Sequence, residues 1–289
     1  MKSKPYLIDL PKIRDNRGNL SVIEQMKDAP FSIARTYWIY DVPGGVERRG
    51  HGYRRNEEII VALSGSFDLT LTDGTHYMHY TLNRSYYGLY VPAGWWRALD
   101  NFSTNSVALV LASTPYAPHD YFYSPDGSDT PDLSDDTQAP ARPSQPPSGL
   151  TLQAGRVCLP KVAFHEGSIT AINNLCELPF ATRRVFYTYD IPGGVSRGAH
   201  CHKHCHQLLV AVCGSFSVLL DDGSRRQVFT LSRPWEGLLV PAGIWSQEID
   251  FSSGSVCLAL ASDLYDAGDY ISDYQDYTAY VGQRKEALR

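Results

Sequence analysis

The chain has 289 residues, 43% of them hydrophobic and 20% charged, with a formal net charge of −5. This length suits two domains of ordinary size, each with its own core, and the acidic balance gives no general basic field for nucleic acid, so an anionic ligand needs a local cluster of cations. No run approaches the roughly 18 uncharged apolar residues of a membrane helix, and the opening MKSKPYLIDLPKIRDNRGNL is too charged for a secretory signal. The expectation is a cytoplasmic protein without membrane contact.

From Leu10 onward the sequence repeats itself. LPK at Leu10 returns at Leu159, an offset of 149 residues, and the match runs without a gap to Asp120-Tyr121 against Asp269-Tyr270. YDVPGGV from Tyr40 meets YDIPGGV from Tyr189, and GLYVPAGWW from Gly88 meets GLLVPAGIW from Gly237. A duplicated domain is the economical account. In both copies, as in IIVALSGSFDLTLTDG and LLVAVCGSFSVLLDDG, apolar residues alternate or run in short blocks between Asp-Gly, Gly and Pro turns. The pattern predicts an all-β fold, an antiparallel barrel or sandwich in each copy.

Between the copies, residues 124–149 are rich in Pro, Ser and Asp, have almost nothing to bury and are read as a mobile linker. This places one domain at 1–123 and the other at 150–289. Only the tail, roughly Tyr274 to Arg289, reads as helix. All six cysteines, Cys158, Cys176, Cys201, Cys205, Cys213 and Cys257, lie in the second copy. A domain of this size needs no disulfide framework, so they are read as reduced and mostly buried small hydrophobes.

The densest cluster of chemistry-bearing residues is RGAHCHKHCHQLLV, starting at Arg197. On an extended strand His200 and His202 point to the same face, about 7 Å apart along the chain. Two imidazoles with ordinary pKa values of about 6.5 form a natural proton-handling pair. His204 and His206 read as a polar strand edge, Cys201 and Cys205 as packed away from the pair, and Trp95, Trp96 and Trp245 as core.

Gly194, His200, His202, His206 and Gly214 follow the form G-x5-H-x-H-x3-E-x6-G, with His for Glu and one extra residue before the last Gly. Gly237, Pro241, Gly243 and Ser246 follow a shortened G-x5-P-x-G-x2-H with Ser for the last His. These are the two motifs of the cupin superfamily, which the sequence resembles. Together with PGGVSRGAHCHK, Gln207, GSFSVLLDDG, GLLVPAGIW and FSSGSVCLALASDLYDAGDYI, the chain resembles the WxcM-like TDP-4-keto-6-deoxyglucose 3,4-ketoisomerases. The resemblance implies two tandem jelly-roll barrels and a place in deoxysugar biosynthesis for lipopolysaccharide or O-antigen. The implied partner is a TDP-linked 4-keto-6-deoxyhexose, with neither metal nor redox cofactor. A proton leaves C3, an enediol forms and a proton reaches C4, with His200 and His202 as the catalytic pair and their division of labour open. Arg184, Arg197 and Gln207 fall at matching positions near the site and are implied to hold phosphate or sugar, a task suited to an Arg fork.

The first copy reads RRGHGYRRNEEIIV at this place, keeping His51 but setting Tyr53 opposite His202 and Glu58 opposite Gln207. It nevertheless keeps Arg17 and Tyr37, which resemble the family, where the second copy has Glu166 and Phe186. Arg17, Tyr37 and His51 are therefore assigned to substrate binding. Members of the family resemble dimers that exchange N-terminal strands. An internal pseudo-dimer is implied, with Arg17 completing the site around His200 and a further homodimer left open. Two other readings stand beside this one. In the first, His200, His202 and His206 hold zinc, iron or nickel with an open fourth position. In the second, the chain binds sugar nucleotides without turning them over.

Overall fold

The computed structural model describes residues 3–126 and 153–287. Most of the expected linker at 124–149 lies outside the described residues, as does the end of the tail. The alternating segments form antiparallel strands that gather into two compact units of two sheets each, which makes the protein all-β with a pair of jelly-roll barrels. No helix among the described residues is long and apolar enough to cross a membrane.

The larger sheet of the first unit runs in the order Tyr6–Asp9, Tyr87–Val91, Glu58–Ser64, Val107–Ala112, Arg35–Tyr40, Gly167–Asn173 and Lys161–Phe164. Facing it are Tyr121–Phe122, Arg48–Tyr53, Trp96–Asp100, Phe67–Thr72 and Tyr77–Leu82. Phe67–Thr72 shows why alternation marks a half-covered sheet. Phe67, Leu69 and Leu71 are buried, while Asp68 and Thr70 turn outward. Glu58–Ser64, central in its sheet, is buried on both faces except at its last residue and reads as a continuous apolar run. The core joins Ile60, Phe67, Leu69, Trp95 and Val110, none more than 1% exposed. Each such side chain stabilises the fold by roughly 1.5–3 kcal/mol.

The second unit repeats this plan. One sheet holds Gly155–Cys158, Glu236–Val240, Gln207–Cys213, Val256–Ala261, Arg184–Tyr189, Gly18–Glu24 and Lys12–Asp15. The other holds Arg226–Leu231, Phe216–Asp221, Trp245–Ile249, Arg197–His202 and Tyr270–Ile271. At the GSF turn before Phe216, Gly214 has φ +64, and a Cβ there would lie 2.6 Å from Ser252 Oγ. Only glycine fits both constraints.

Each unit contains a hairpin from the other copy. Gly167–Asn173 pairs with Arg35–Tyr40 in the first unit, and Gly18–Glu24 pairs with Arg184–Tyr189 in the second. The compact units are thus not the contiguous stretches 1–123 and 150–289. Residues 12–24 fold with the second unit and residues 159–179 with the first.

The helical tail forms as Tyr274–Ala287 in the second unit. Asp273 Oδ1 accepts the backbone N–H groups of Gln275 and Asp276, a helix cap. Tyr277 packs with Cys201, Trp245 and Ile271. Two expectations need correction. His204 and His206 do not form a strand edge, because they sit in the turn between Arg197–His202 and Gln207–Cys213. The cysteines are not mostly buried: Cys201, Cys205 and Cys257 are, but Cys158 is exposed and Cys176 and Cys213 are partly so. Cys158 lies on a strand at the end of its sheet order, which leaves one flank uncovered.

Candidate functional site

In the second unit the strand Arg197–His202 slips register against Trp245–Ile249 between Gly198 and His200. Gly198 and Ala199 take φ of 72° and 57° there. Such a bulge bends a strand and re-aims the side chains beyond it. Beyond it His200 and His202 point to one face as alternation predicts, with their Nε2 atoms 3.2 Å apart.

The other nitrogen of His202 fixes how this contact works. His202 Nδ1 lies 2.8 Å from Asp269 Oδ2. A carboxylate only accepts, so Nδ1 carries the hydrogen and Nε2 is left as acceptor. Nε2 then faces both His200 Nε2 and the Gln207 amide nitrogen, which donates across 2.9 Å. Asp269 ends the short turn Ala267–Asp269 and is itself seated by the backbone N–H groups of His204 (2.7 Å) and Cys205 (3.3 Å). Burial raises its pKa, but the bonds from His202 and these backbone groups outweigh that and hold the carboxyl below the usual range. Burial, reinforced by His200, pushes His202 down to about 4 against the pull of Asp269. Burial also lowers His200. Both shifts favour the neutral form of each imidazole.

Tyr270 closes one side, its ring 4.3 Å from His202 and 5.0 Å from His200. Arg184 is buried, hydrogen-bonds Tyr270, and lies over the rings of Phe186 and Tyr265. Arg197 Nη1 donates to the backbone carbonyl of Arg17 at 2.9 Å. The Arg17 guanidinium, half exposed, pairs with Asp15 at 2.6 Å. Beside Arg197, burial raises the Glu248 carboxyl.

The second unit therefore brings together His200, His202, Arg184 and Gln207, and in the same unit Arg197 meets the backbone of Arg17. Gln207, expected to hold substrate, bonds His202. Tyr37 and His51 belong to the first unit. There His51 Nε2 meets Tyr53 OH at 3.1 Å, and Tyr37 OH donates to Glu58 Oε1 at 2.6 Å. Sequence reasoning missed Asp269, Tyr270 and Glu248. The signal for the first two was the Asp-Tyr pair that closes the match in both copies. Glu248 had none, since Leu99 stands at its place in the first copy.

Within the second unit, His202, Cys205 and Asp269 offer ligand atoms within 4.8 Å of one another. This is not the set His200, His202 and His206. His206 Nδ1 accepts the backbone N–H of Ala242, and its ring stacks on Phe180.

The family described as FdtA: WxcM-like, C-terminal matches twice, at residues 3–127 and 156–282. A TDP-4-oxo-6-deoxy-alpha-D-glucose-3,4-oxoisomerase of Aneurinibacillus thermoaerophilus is 42% identical over 123 residues, 43% of this chain and 88% of that protein. Among solved structures, a 3,4-ketoisomerase from Helicobacter canadensis is 35% identical, with a TM-score of 0.44 over 45% of this chain and 97% of that one. A sugar 3,4-ketoisomerase from Thermoanaerobacterium thermosaccharolyticum, solved in complex with TDP, is 31% identical, with a TM-score of 0.45 over 45% of this chain and 96% of that one. With two matches that together span most of its length, the chain belongs to the WxcM-like FdtA family and carries the family's domain twice.

Proposed function

We propose that this protein is a cofactor-independent TDP-sugar 3,4-ketoisomerase of the cytoplasm and that its second unit converts a TDP-linked 4-keto-6-deoxyhexose to the 3-keto isomer. The observation that carries the reading is the imidazole pair in Nε2 contact, seated on Asp269. His200 takes the proton from C3, and the C3–H electrons form the C3=C4 bond of an enediol as O4 gains a proton. Return of a proton to C4 and loss of the O3 proton complete the shift of the carbonyl, with no net change in electrons. His202, bonded to His200, passes protons between the two oxygens. Positioned acid–base groups of this kind contribute about 10²- to 10⁴-fold. Arg184 and Arg197 supply cations for the diphosphate, and Arg17 stands where a carboxylate would repel it.

The experiment is incubation of the full chain with TDP-4-keto-6-deoxyglucose in heavy water, followed by NMR of the sugar. The expected result is a carbonyl moved from C4 to C3 with deuterium at C4. Absence of conversion, with or without added metal, overturns the reading. The cluster His202, Cys205 and Asp269 favours a metal-dependent reading as second choice. Activity that disappears on exhaustive chelation and returns with one particular metal selects it.

A further inference from the structure

In the second unit Glu248 stands on the inner face of the barrel. Along Trp245–Ile249, Ser246 lies opposite Leu220 on one side and His200 on the other, and Glu248 lies opposite Val218 and Arg197. Val218 and Leu220 belong to the core, so the residues in register with them, Ser246 and Glu248, turn inward as well. Glu248 is two residues from the position facing His200, about 7 Å along the strand. Its carboxyl rests over the bulge: a Cβ on Gly198 would lie 2.7 Å from Oε2 and 3.1 Å from Oε1. Glycine at the bulge, with φ of 72°, makes the room that this carboxyl occupies. The first copy has Leu99 for Glu248 and Arg49 for Gly198. There Leu99, Arg97 and His51 line a cavity of about 360 Å³, so the position that carries Glu248 borders a ligand-sized space beside the histidine.

A carboxyl inside a barrel is costly unless something compensates it. Arg197, directly opposite, offsets part of its charge, while burial acts against ionisation. What the substrate offers to this carboxyl follows from its chemistry. In a TDP-linked 4-keto-6-deoxyhexose C1 carries the diphosphate, C5 the ring oxygen and C6 is a methyl, and O3 and O4 take part in the isomerisation. The 2-hydroxyl is the one donor of the hexose that stays outside the reaction, and it sits on the carbon next to C3. With C3 beside His200, a carboxyl two residues from the position facing His200 is placed for that hydroxyl. A carboxyl accepts from a hydroxyl, and Arg197 beside it counters repulsion of the phosphate on the neighbouring C1. We propose that Glu248 is a specificity-determining residue that accepts a hydrogen bond from the 2-hydroxyl of the hexose, so that the second unit selects 2-hydroxy over 2-deoxy sugars. The inference rests on the isomerase reading of the second unit, which sets C3 beside His200.

The test compares TDP-4-keto-6-deoxyglucose with its 2-deoxy counterpart as substrates of the full chain. The wild type is expected to favour the 2-hydroxy sugar in kcat/KM by about tenfold or more, since the 2-deoxy sugar leaves the inward carboxyl without its partner. Glu248→Leu, which installs the residue of the first copy, is expected to bring the preference within about threefold. If Glu248→Leu unfolds, as read by circular dichroism, the isosteric Glu248→Gln replaces it, with the preference expected to fall by about threefold or more. Conversion of both sugars with equal efficiency by the wild type, or a preference unchanged by the substitution, overturns the proposal and leaves the isomerase reading in place. If the wild type converts neither sugar, the isomerase reading falls and calorimetric titration with the same two sugars decides. Tighter binding of the 2-hydroxy sugar that is lost on substitution then supports the role of Glu248, and equal or absent binding overturns it.

Discussion

His202 has one nitrogen on a carboxylate and the other 3.2 Å from a second imidazole, so its role depends on a residue that never needs to touch substrate. His200→Asn is expected to lower turnover by about 10²- to 10⁴-fold with the fold intact. Activity within a factor of two of wild type sinks the assignment. His51→Asn is expected to do far less. Asp269→Asn tests positioning: the neutral amide no longer raises the pKa of His202, so the acid limb of kcat/KM is expected to move to lower pH as kcat drops. A fall in activity with the pH profile unmoved would assign Asp269 a structural role only. The same burial also bears on stability. His202 sits at about 4 in the folded state against about 6.5 unfolded, so its contribution is full above pH 6.5 and is lost as pH falls towards 4. Asp269, also lowered, adds a loss of the same sign only at more acid pH, below the usual carboxylate range. Unfolding midpoints are expected to drop between pH 7 and pH 5, by an amount set by at most about 3 kcal/mol for His202. In His202→Gln the slope should flatten; an equally steep slope would locate the effect elsewhere.

At the scale of elements, a bulge and a hairpin define the site. The bulge at Gly198–Ala199 sets the aim of the histidine strand, and the hairpin Lys12–Asp15 with Gly18–Glu24 delivers Arg17 beside Arg197. The corresponding hairpin of the first unit carries Glu166. Facing a diphosphate, a carboxylate there repels and a guanidinium attracts. Arg17→Ala is expected to weaken KM or turnover at least tenfold, about 1.4 kcal/mol. Steady-state kinetics within twofold of wild type would leave Arg17 with Asp15 alone as its partner.

For the whole molecule, the exchange of hairpins means that neither copy is a complete folding unit. Residues 150–289 expressed alone lack Gly18–Glu24, so Arg184–Tyr189 is left with one neighbour and an open edge. That fragment is expected to aggregate or to be inactive, by size-exclusion chromatography and assay. A soluble, fully active fragment would show that the second copy is self-contained.

The duplication, the all-β class and the histidine pair were legible in the sequence because each depends on local period or on an offset match. Alternation along Phe67–Thr72, and between His200 and His202 beyond the bulge, already states which face each side chain takes. The partner of His202 was not legible, since Asp269 lies 67 residues away and approaches only when Tyr270–Ile271 pairs with the histidine strand. Nor did local pattern show that Gln207 would hold a ring or that His206 would give its nitrogen to the backbone. Strand pairing sets such contacts, and it joins residues whose distance along the chain carries no information about their distance in space. Local period determined the elements of this protein, and the pairing of strands remote in sequence decided which charges and imidazoles meet.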